Sequence, residues 1–286
     1  MLAPMSFSDQ INRAPLPFDA ASGDEALAAL TTPDSARDLI RGTAGSSPYL
    51  KTLIHRWSDW LSEALTQPPE AVFQALLKEV AEIPDGDLGP GLRHAKGRVA
   101  LWVALADLGG VWPLKKVTGA LTDFADAAVG RALTSLVAAE IRRGKLPGQG
   151  PDDAADAAGM VVLAMGKAGA GELNYSSDID LICLFDDERY ADDYAEARAA
   201  FIRVTRRMAA LLSEPTGDGY VFRTDLRLRP DPSVTPVCLS MDAAERYYES
   251  LGRPWERAAF IKARVMAGDQ DAGQGFLGRL SPFVWR

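Results

Sequence analysis

The chain has 286 residues, 47% of them hydrophobic and 24% charged, and carries a net charge of −8 at neutral pH. That composition suits one large or two modest globular domains, and its acidic balance provides no general basic footprint for a nucleic-acid backbone. Its two histidines, His55 and His94, and two cysteines, Cys183 and Cys238, argue against histidine triads, histidine-ligated zinc and a disulfide framework.

No basic start leads into an apolar segment, since the first arginine is Arg13, and apolar runs such as Val99 to Ala106 are far too short to cross a bilayer. The expectation is a cytoplasmic protein, neither exported nor membrane-embedded.

In chain order, residues 1–23 mix Pro, Ser, Asn and Asp without periodicity and read as a loosely ordered leader. A helical region over 24–115 follows. Leu50, Ile54, Trp57 and Leu61 recur at helical steps, and Val72, Leu76 and Val80 repeat the stripe after the break Gln67-Pro68-Pro69. The loop PDGDLGPG (84–91), a helix through Trp102 and the stop at Gly109-Gly110 with Pro113 come next, then a long helix from about Val117 to Arg143.

A second domain, 116–268, takes shape around short strands. GKLPGQGPDD (144–153) breaks the chain before an apolar run of strand length, Met160 to Met165. A helix is expected over 192–213, and YVFRTDLRLR (220–229) alternates as a strand. Tyr220, Phe222, Thr224, Leu226 and Leu228 face one way there, with Val221, Arg223, Asp225, Arg227 and Arg229 opposite. Two helices, 241–251 with Ser240 as cap and 254–267, complete the domain, and 269–286 reads as the stub of a following helical domain. No internal repeat is present.

The chemistry concentrates in GKAGAGELNYSSDIDLICLF (166–185). The strand period puts Asp178 and Asp180 on one face, about 7 Å apart at Cα, with Ile179, Leu181, Cys183 and Phe185 on a dry inner face. Asp225 offers a third carboxylate from a strand that could lie alongside. Carboxylates about 4 Å apart repel by roughly 4 kcal/mol at an effective dielectric near 20, which a hard divalent cation, Mg²⁺ or Mn²⁺, would offset. Two such ions would serve phosphoryl or nucleotidyl transfer. Gly166, Gly169 and Gly171 allow close backbone approach to a phosphate, and Ser176 and Ser177 supply hydroxyls. Lys167, Arg223, Arg227 and Arg229 either pair with the carboxylates or stabilise phosphate charge.

Two other glycine motifs fail on spacing. A Walker A loop would need glycine at Val161 and Ser or Thr at Ala168, and Gly166, Gly169 and Gly171 run G-x-x-G-x-G rather than as a dinucleotide fingerprint.

Three blocks, LAMGKAGAGELNYSSDIDLICLF, GYVFRTDLRLRPDPSVTP and RYYESLGRPWERAAFIKARVMAGD, spanning 163–269 in order, together resemble the glutamine synthetase adenylyltransferase/adenylyl-removing enzyme family. The resemblance implies an α+β fold of the DNA polymerase beta type, a small mixed sheet with flanking helices preceded by a helical region. It also implies Asp178, Asp180 and Asp225 as catalytic metal ligands, an ADP or ATP nucleotide, and Gly166, Lys167, Gly169, Ser176, Ser177, Arg223 and Arg227 around it. Glutamine synthetase is the implied target and the PII signalling protein an implied regulator.

One such motif following a helical region resembles the adenylyl-removing half: phosphate attacks an adenylyl-tyrosine and yields ADP. Forward adenylyl transfer from ATP is the alternative within the class, and a silent binding module whose acidic cluster holds a structural ion is the alternative outside it. A nucleic-acid polymerase or transferase fits the charge balance poorly. In GRPWERAAFIKAR, Arg253, Arg257 and Arg264 are expected to share one helical side, as a solvated face or a contact surface.

Overall fold

The computed structural model describes residues 5–285 and divides into two compact units, Met1–Ile83 with Gly91–Phe124, and Pro84–Pro90 with Ala125–Arg286. The division falls inside a continuous helix rather than at the expected 115/116 boundary, because the start of that helix packs in one unit and its remainder in the other.

The first unit is helical: α1 (Ala20–Ala28), α2 (Arg37–Ser46), α3 (Pro48–Arg56), α4 (Ser58–Ala64), α5 (Pro69–Glu82), most of α6 (Leu88–Leu108) and the start of α7 (Leu114–Arg142). Pro48 and Pro69 open α3 and α5 at positions where a missing N–H costs nothing, and the Ser47 side chain accepts from Leu50 N at 3.2 Å. The stripe through Leu50 and Leu61 is two helices, since Trp57 leaves helical geometry at φ −117° and ψ 27°.

Trp102 is fully buried, donates from Nε1 to the Pro69 carbonyl at 3.1 Å and meets the Phe7 ring at 4.5 Å. Phe7 corrects the expected leader: from Met5 onward the segment is anchored, with Phe7 N on the Gln67 carbonyl and Ser8 N on that of Leu65. Composition missed this because one buried aromatic outweighs a polar neighbourhood. Residues 1–4 of that expectation lie outside the described residues. Both histidines are solvent-facing.

The second unit is built on a five-stranded mixed sheet from β1 (Met160–Ala164), β2 (Ile179–Phe185), β3 (Thr224–Asp225), β4 (Cys238–Ser240) and β5 (Arg264–Gly268). The strand order is β3-β2-β1-β5, with β4 also on β2. β1 lies antiparallel between β2 and β5, while β3 and β4 run parallel to β2. The helices are α8 (Gly166–Gly169), α9 (Tyr194–Ser213), α10 (Met241–Leu251), α11 (Pro254–Phe260) and α12 (Gln270–Val284). This is the expected α+β class.

The sheet is dry on both faces, not acidic on one: in β2 every residue except Asp180 is buried. Ile182 and Leu184 join Tyr248, Phe276, Leu280 and Phe283 of α10 and α12 in one core cluster, while on the other face Phe185 stacks on Phe201 of α9 at 5.1 Å. Each such fully buried ring or leucine contributes about 1.5–3 kcal/mol. The 269–286 segment is therefore part of this unit, since α12 supplies its core, rather than a stub of another domain.

Two element readings change. Only Thr224–Asp225 of the expected strand 220–229 pairs as strand. Val221 N and Phe222 N both bond to the Leu212 carbonyl at the end of α9, and Arg229 draws the following loop onto itself through the carbonyls of Leu226, Pro232 and Thr235. The expected helix 254–267 stops at Phe260, and Arg264–Gly268 becomes β5, where pairing with β1 overrides local helix propensity. Ser240 caps α10 as expected, accepting from Ala243 N at 3.3 Å. Among the described residues no helix is long and apolar enough to cross a membrane.

Candidate active site

The apolar β1 delivers the chain to Met165, whose N–H bonds to the Asp180 carbonyl at 2.9 Å, and then to Gly166 at φ +54°. A Cβ at Gly166 would sit 2.9 Å from Asp180 Oδ2, so this position requires glycine both for its left-handed backbone and for the carboxylate pressed against it. Gly169 serves differently. A side chain there would run into the carbonyls of Lys262 and Ala164, so its role is close packing of the turn against the approach to β5. Lys167 is exposed, and its charge acts on Asp180.

The parallel pairing of β2 with β3 sets Ile179 opposite Thr224 and Asp180 opposite Asp225. Asp178 precedes the strand by one residue, with Ile179 N held by the Arg223 carbonyl at 2.9 Å. The side chains of Asp225 and Asp178 are 17% and 51% exposed, so the carboxylates form a gradient from part-buried to open. Burial, followed by the charges of Asp225 and then Asp178, raises the Asp180 carboxyl above the ordinary aspartate range. Asp225 is held below that range, chiefly by its hydrogen bonds from Arg227.

Arg227 closes on Asp225 with Nε 3.0 Å and 2.9 Å from Oδ1 and Oδ2 and Nη2 2.5 Å from Oδ2, and its backbone N–H adds 2.8 Å to Oδ1. Arg223 pairs through Nε with Asp178, donates from Nη2 to the Ser176 carbonyl at 2.8 Å and lies 6.0 Å from the centre of the Tyr220 ring. Both guanidinium pKa values are raised by these carboxylates. Ser176 thus contributes a carbonyl, and the Ser177 hydroxyl is bonded to the Asn174 side chain. Arg229 stands apart from the carboxylates, spent on the loop after β3.

The structure therefore brings together Gly166, Asp178, Asp180, Asp225, Arg223 and Arg227, with the Lys167 charge acting on Asp180. Among the described residues no three His, Cys, Asp or Glu side chains form a ready ligand set for a metal ion. The physical reason is visible: Asp178 and Asp225 are turned to their arginines. The donor chemistry still suits a hard cation, being all carboxylate oxygen, and Asp180 is raised first by burial and then by the two carboxylates beside it.

The expected arginine face dissolves. Arg253 N donates to Glu256 Oε2 at 2.7 Å at the start of α11, Arg257 lies 5.2 Å from the Phe283 ring centre, and Arg264 begins β5. The sequence reading placed Arg264 on a helix and missed its partner, Asp126. Recognising 264–268 as a strand was the signal that would have separated Arg264 from the helix. In the helical unit, a cleft of about 420 Å³ lined by Phe73, Trp112 and Lys116 holds Glu70, whose carboxylate is already bonded to Trp112 Nε1 at 3.1 Å and paired with Lys116. It offers no reacting constellation.

Residues 38–279 match the family model for glutamate-ammonia ligase adenylyltransferase (GlnE). Among curated relatives, the chain is 49% identical over 267 residues to a bifunctional glutamine synthetase adenylyltransferase/adenylyl-removing enzyme of a Bradyrhizobium species, covering 91% of this chain and 27% of the relative. The protein of that name from Bradyrhizobium diazoefficiens is also 49% identical, with the same coverage. That of Rhizobium meliloti is 42% identical over 280 residues, 94% of this chain and 28% of the relative. The chain thus spans little more than a quarter of these relatives' length. With its family model matched across most of its residues, the chain belongs to the glutamate-ammonia ligase adenylyltransferase family.

Proposed function

We propose that this chain is a nucleotidyltransferase domain that removes AMP from an adenylylated tyrosine of glutamine synthetase by phosphorolysis. The observation that carries the chemistry is the in-register pair Asp180 and Asp225 with Asp178 beside it, each of the two outer carboxylates next to an arginine. The relatives' printed names supply the target and name both directions, and the choice of removal rests on the resemblance of this block to the adenylyl-removing half.

In the proposed reaction an oxygen of inorganic phosphate bonds to the adenylyl phosphorus as the bond to the tyrosine oxygen breaks. ADP leaves with the AMP moiety, and the freed tyrosine oxygen takes up a proton. Asp178, Asp180 and Asp225 would hold Mg²⁺ or Mn²⁺, which supplies positive charge against the repulsion between the two phosphates. Gly166 keeps the chain close to Asp180 without a side chain in between. Arg223 and Arg227 themselves lie on the exposed side, where water competes for their ion pairs with the carboxylates. Such pairs open readily, which frees two planar forks for phosphate oxygens.

Incubation with adenylylated glutamine synthetase, Mg²⁺ and phosphate should release ADP, with none when phosphate is omitted. Pyrophosphate release from ATP and unmodified target, without any ADP in the first assay, would instead assign the forward direction. Calorimetry with Mn²⁺ and ADP covers the silent-module alternative: metal uptake with no nucleotide affinity would support that reading and end the enzymatic one.

A further inference from the structure

The glycine turn that faces Asp180 is gripped from behind by a segment that touches none of the three carboxylates. Arg264, the first residue of β5, donates from Nη1 and Nη2 to the two carboxylate oxygens of Asp126 on α7, each at 2.7 Å. The same guanidinium donates from Nε and Nη2 to the Ala168 carbonyl at 3.2 and 3.0 Å. Two residues earlier, the Lys262 carbonyl fills the space where a Gly169 side chain would stand, and Lys262 Nζ pairs with Glu172 at 3.1 Å. Ala168, Gly169 and Glu172 are thus all fixed to the single stretch 262–264.

The front of the turn is the catalytic side, where Gly166 leaves room for nothing larger than hydrogen beside Asp180 Oδ2. A turn clamped behind and in contact in front has one position. The Arg264 and Asp126 side chains are 30% and 29% exposed, so the pair is shielded from the full screening of an open surface pair. Only a planar guanidinium reaches both carboxylate oxygens and the carbonyl at once; an ammonium has neither the fork nor the span.

We propose that Arg264 is a positioning residue: held by Asp126, it fixes the Gly166–Lys167 turn against Asp180 and so sets where the substrate phosphate meets the carboxylates. The catalytic part of this inference rests on the proposed function, whereas the placement of the turn does not, and the experiment separates them. Arg264→Gln, Arg264→Lys, Asp126→Asn and the double variant Arg264→Gln/Asp126→Asn would be compared with the full chain by amide hydrogen exchange and by phosphate-dependent ADP release.

The expected result for Arg264→Gln is faster exchange confined to residues 165–172, with α12 amides as protected as in the parent. Its kcat should fall about tenfold or more, as a misplaced reacting geometry does, while KM for the adenylylated target stays within about twofold. Arg264→Lys should recover part of the loss, and the double variant should be no worse than Arg264→Gln because the two residues act as one unit. Unchanged exchange in 165–172 would overturn the proposal, as would acceleration spread evenly through 125–285, which marks general destabilisation. Should the parent chain release no ADP, the proposed reaction fails and the exchange arms alone decide the placement.

Discussion

One edge of β2 is shared by two strands, and the two junctions place like residues opposite each other: Asp180 against Asp225 at β3, Cys183 against Cys238 at β4. Three residues along one strand separate opposite chemistries. At the β4 end both thiols are fully enclosed, and burial pushes Cys183 up to about 12 and Cys238 well above the ordinary thiol value. They stay neutral and pack as small apolar groups. At the β3 end the wall of side chains stops, arginines face two of the carboxylates, and charge survives. The difference teaches that pairing alone does not make a site; the point where the sheet's cover ends does.

Asp225→Asn and Cys238→Ser break this comparison from its two ends. The first should lower ADP release by about 10²-fold or more with the fold intact by circular dichroism. The second should leave turnover within a few-fold but lower stability modestly, since a hydroxyl replaces a thiol in a dry seam where only the Thr205 side chain is at hand to bond it. Equal activity losses in both would erase the distinction.

Gly166→Ala sharpens it at the turn. The left-handed backbone costs an alanine about 1–2 kcal/mol, and its methyl would press on Asp180 Oδ2. Activity should fall by about tenfold or more, measured against Gly171→Ala, where φ is also positive at +70° but no atom lies within 4 Å of the added carbon. That variant should show the stability loss without the activity loss.

How far the sequence carried these conclusions depends on what kind of force acts. Asp178 and Asp180 were legible because a strand period of two and a following apolar run are local facts, and Asp225 because an alternating pattern flagged it. The remainder of 220–229 was not legible: the Leu212 carbonyl and the Arg229 contacts that pull it out of strand pairing are tertiary. Phe7 was hidden for the same reason, as one ring finding Trp102 leaves no periodic trace. Arg264 was placed on the wrong element because Ala-Ala-Phe-Ile-Lys-Ala-Arg has helical propensity throughout, and only β1 makes its last residue a strand. The fold class survived these errors because it rests on residues whose partners are near in sequence or enforced by the sheet.

A smaller effect separates the two paired aspartates by sign. Asp180 is raised above 3.8, so between 3.8 and its folded value the native state holds a proton that the unfolded chain has lost. Stability then falls as pH rises through that window, and ionised Asp180 is unfavourable at neutral pH. Asp225 is lowered below 3.8, so its contribution is present above 3.8 and is lost as pH falls through its folded value. In the presence of a chelator at pH 7, Asp180→Asn should raise Tm and Asp225→Asn should lower it, each by a few degrees or less. Both differences should vanish in acid. Shifts of the same sign would show that the two carboxylates share one environment.

The central claim is that the carboxylates at the open end of β2 carry out phosphoryl chemistry and are not there to stabilise the fold. It is tested most directly by measuring ADP released from adenylylated glutamine synthetase by the parent chain and by Asp180→Asn, with Mg²⁺ and phosphate present. The account predicts ADP from the parent and none above background from a variant that melts at the same temperature or higher. Full turnover by that variant would contradict it.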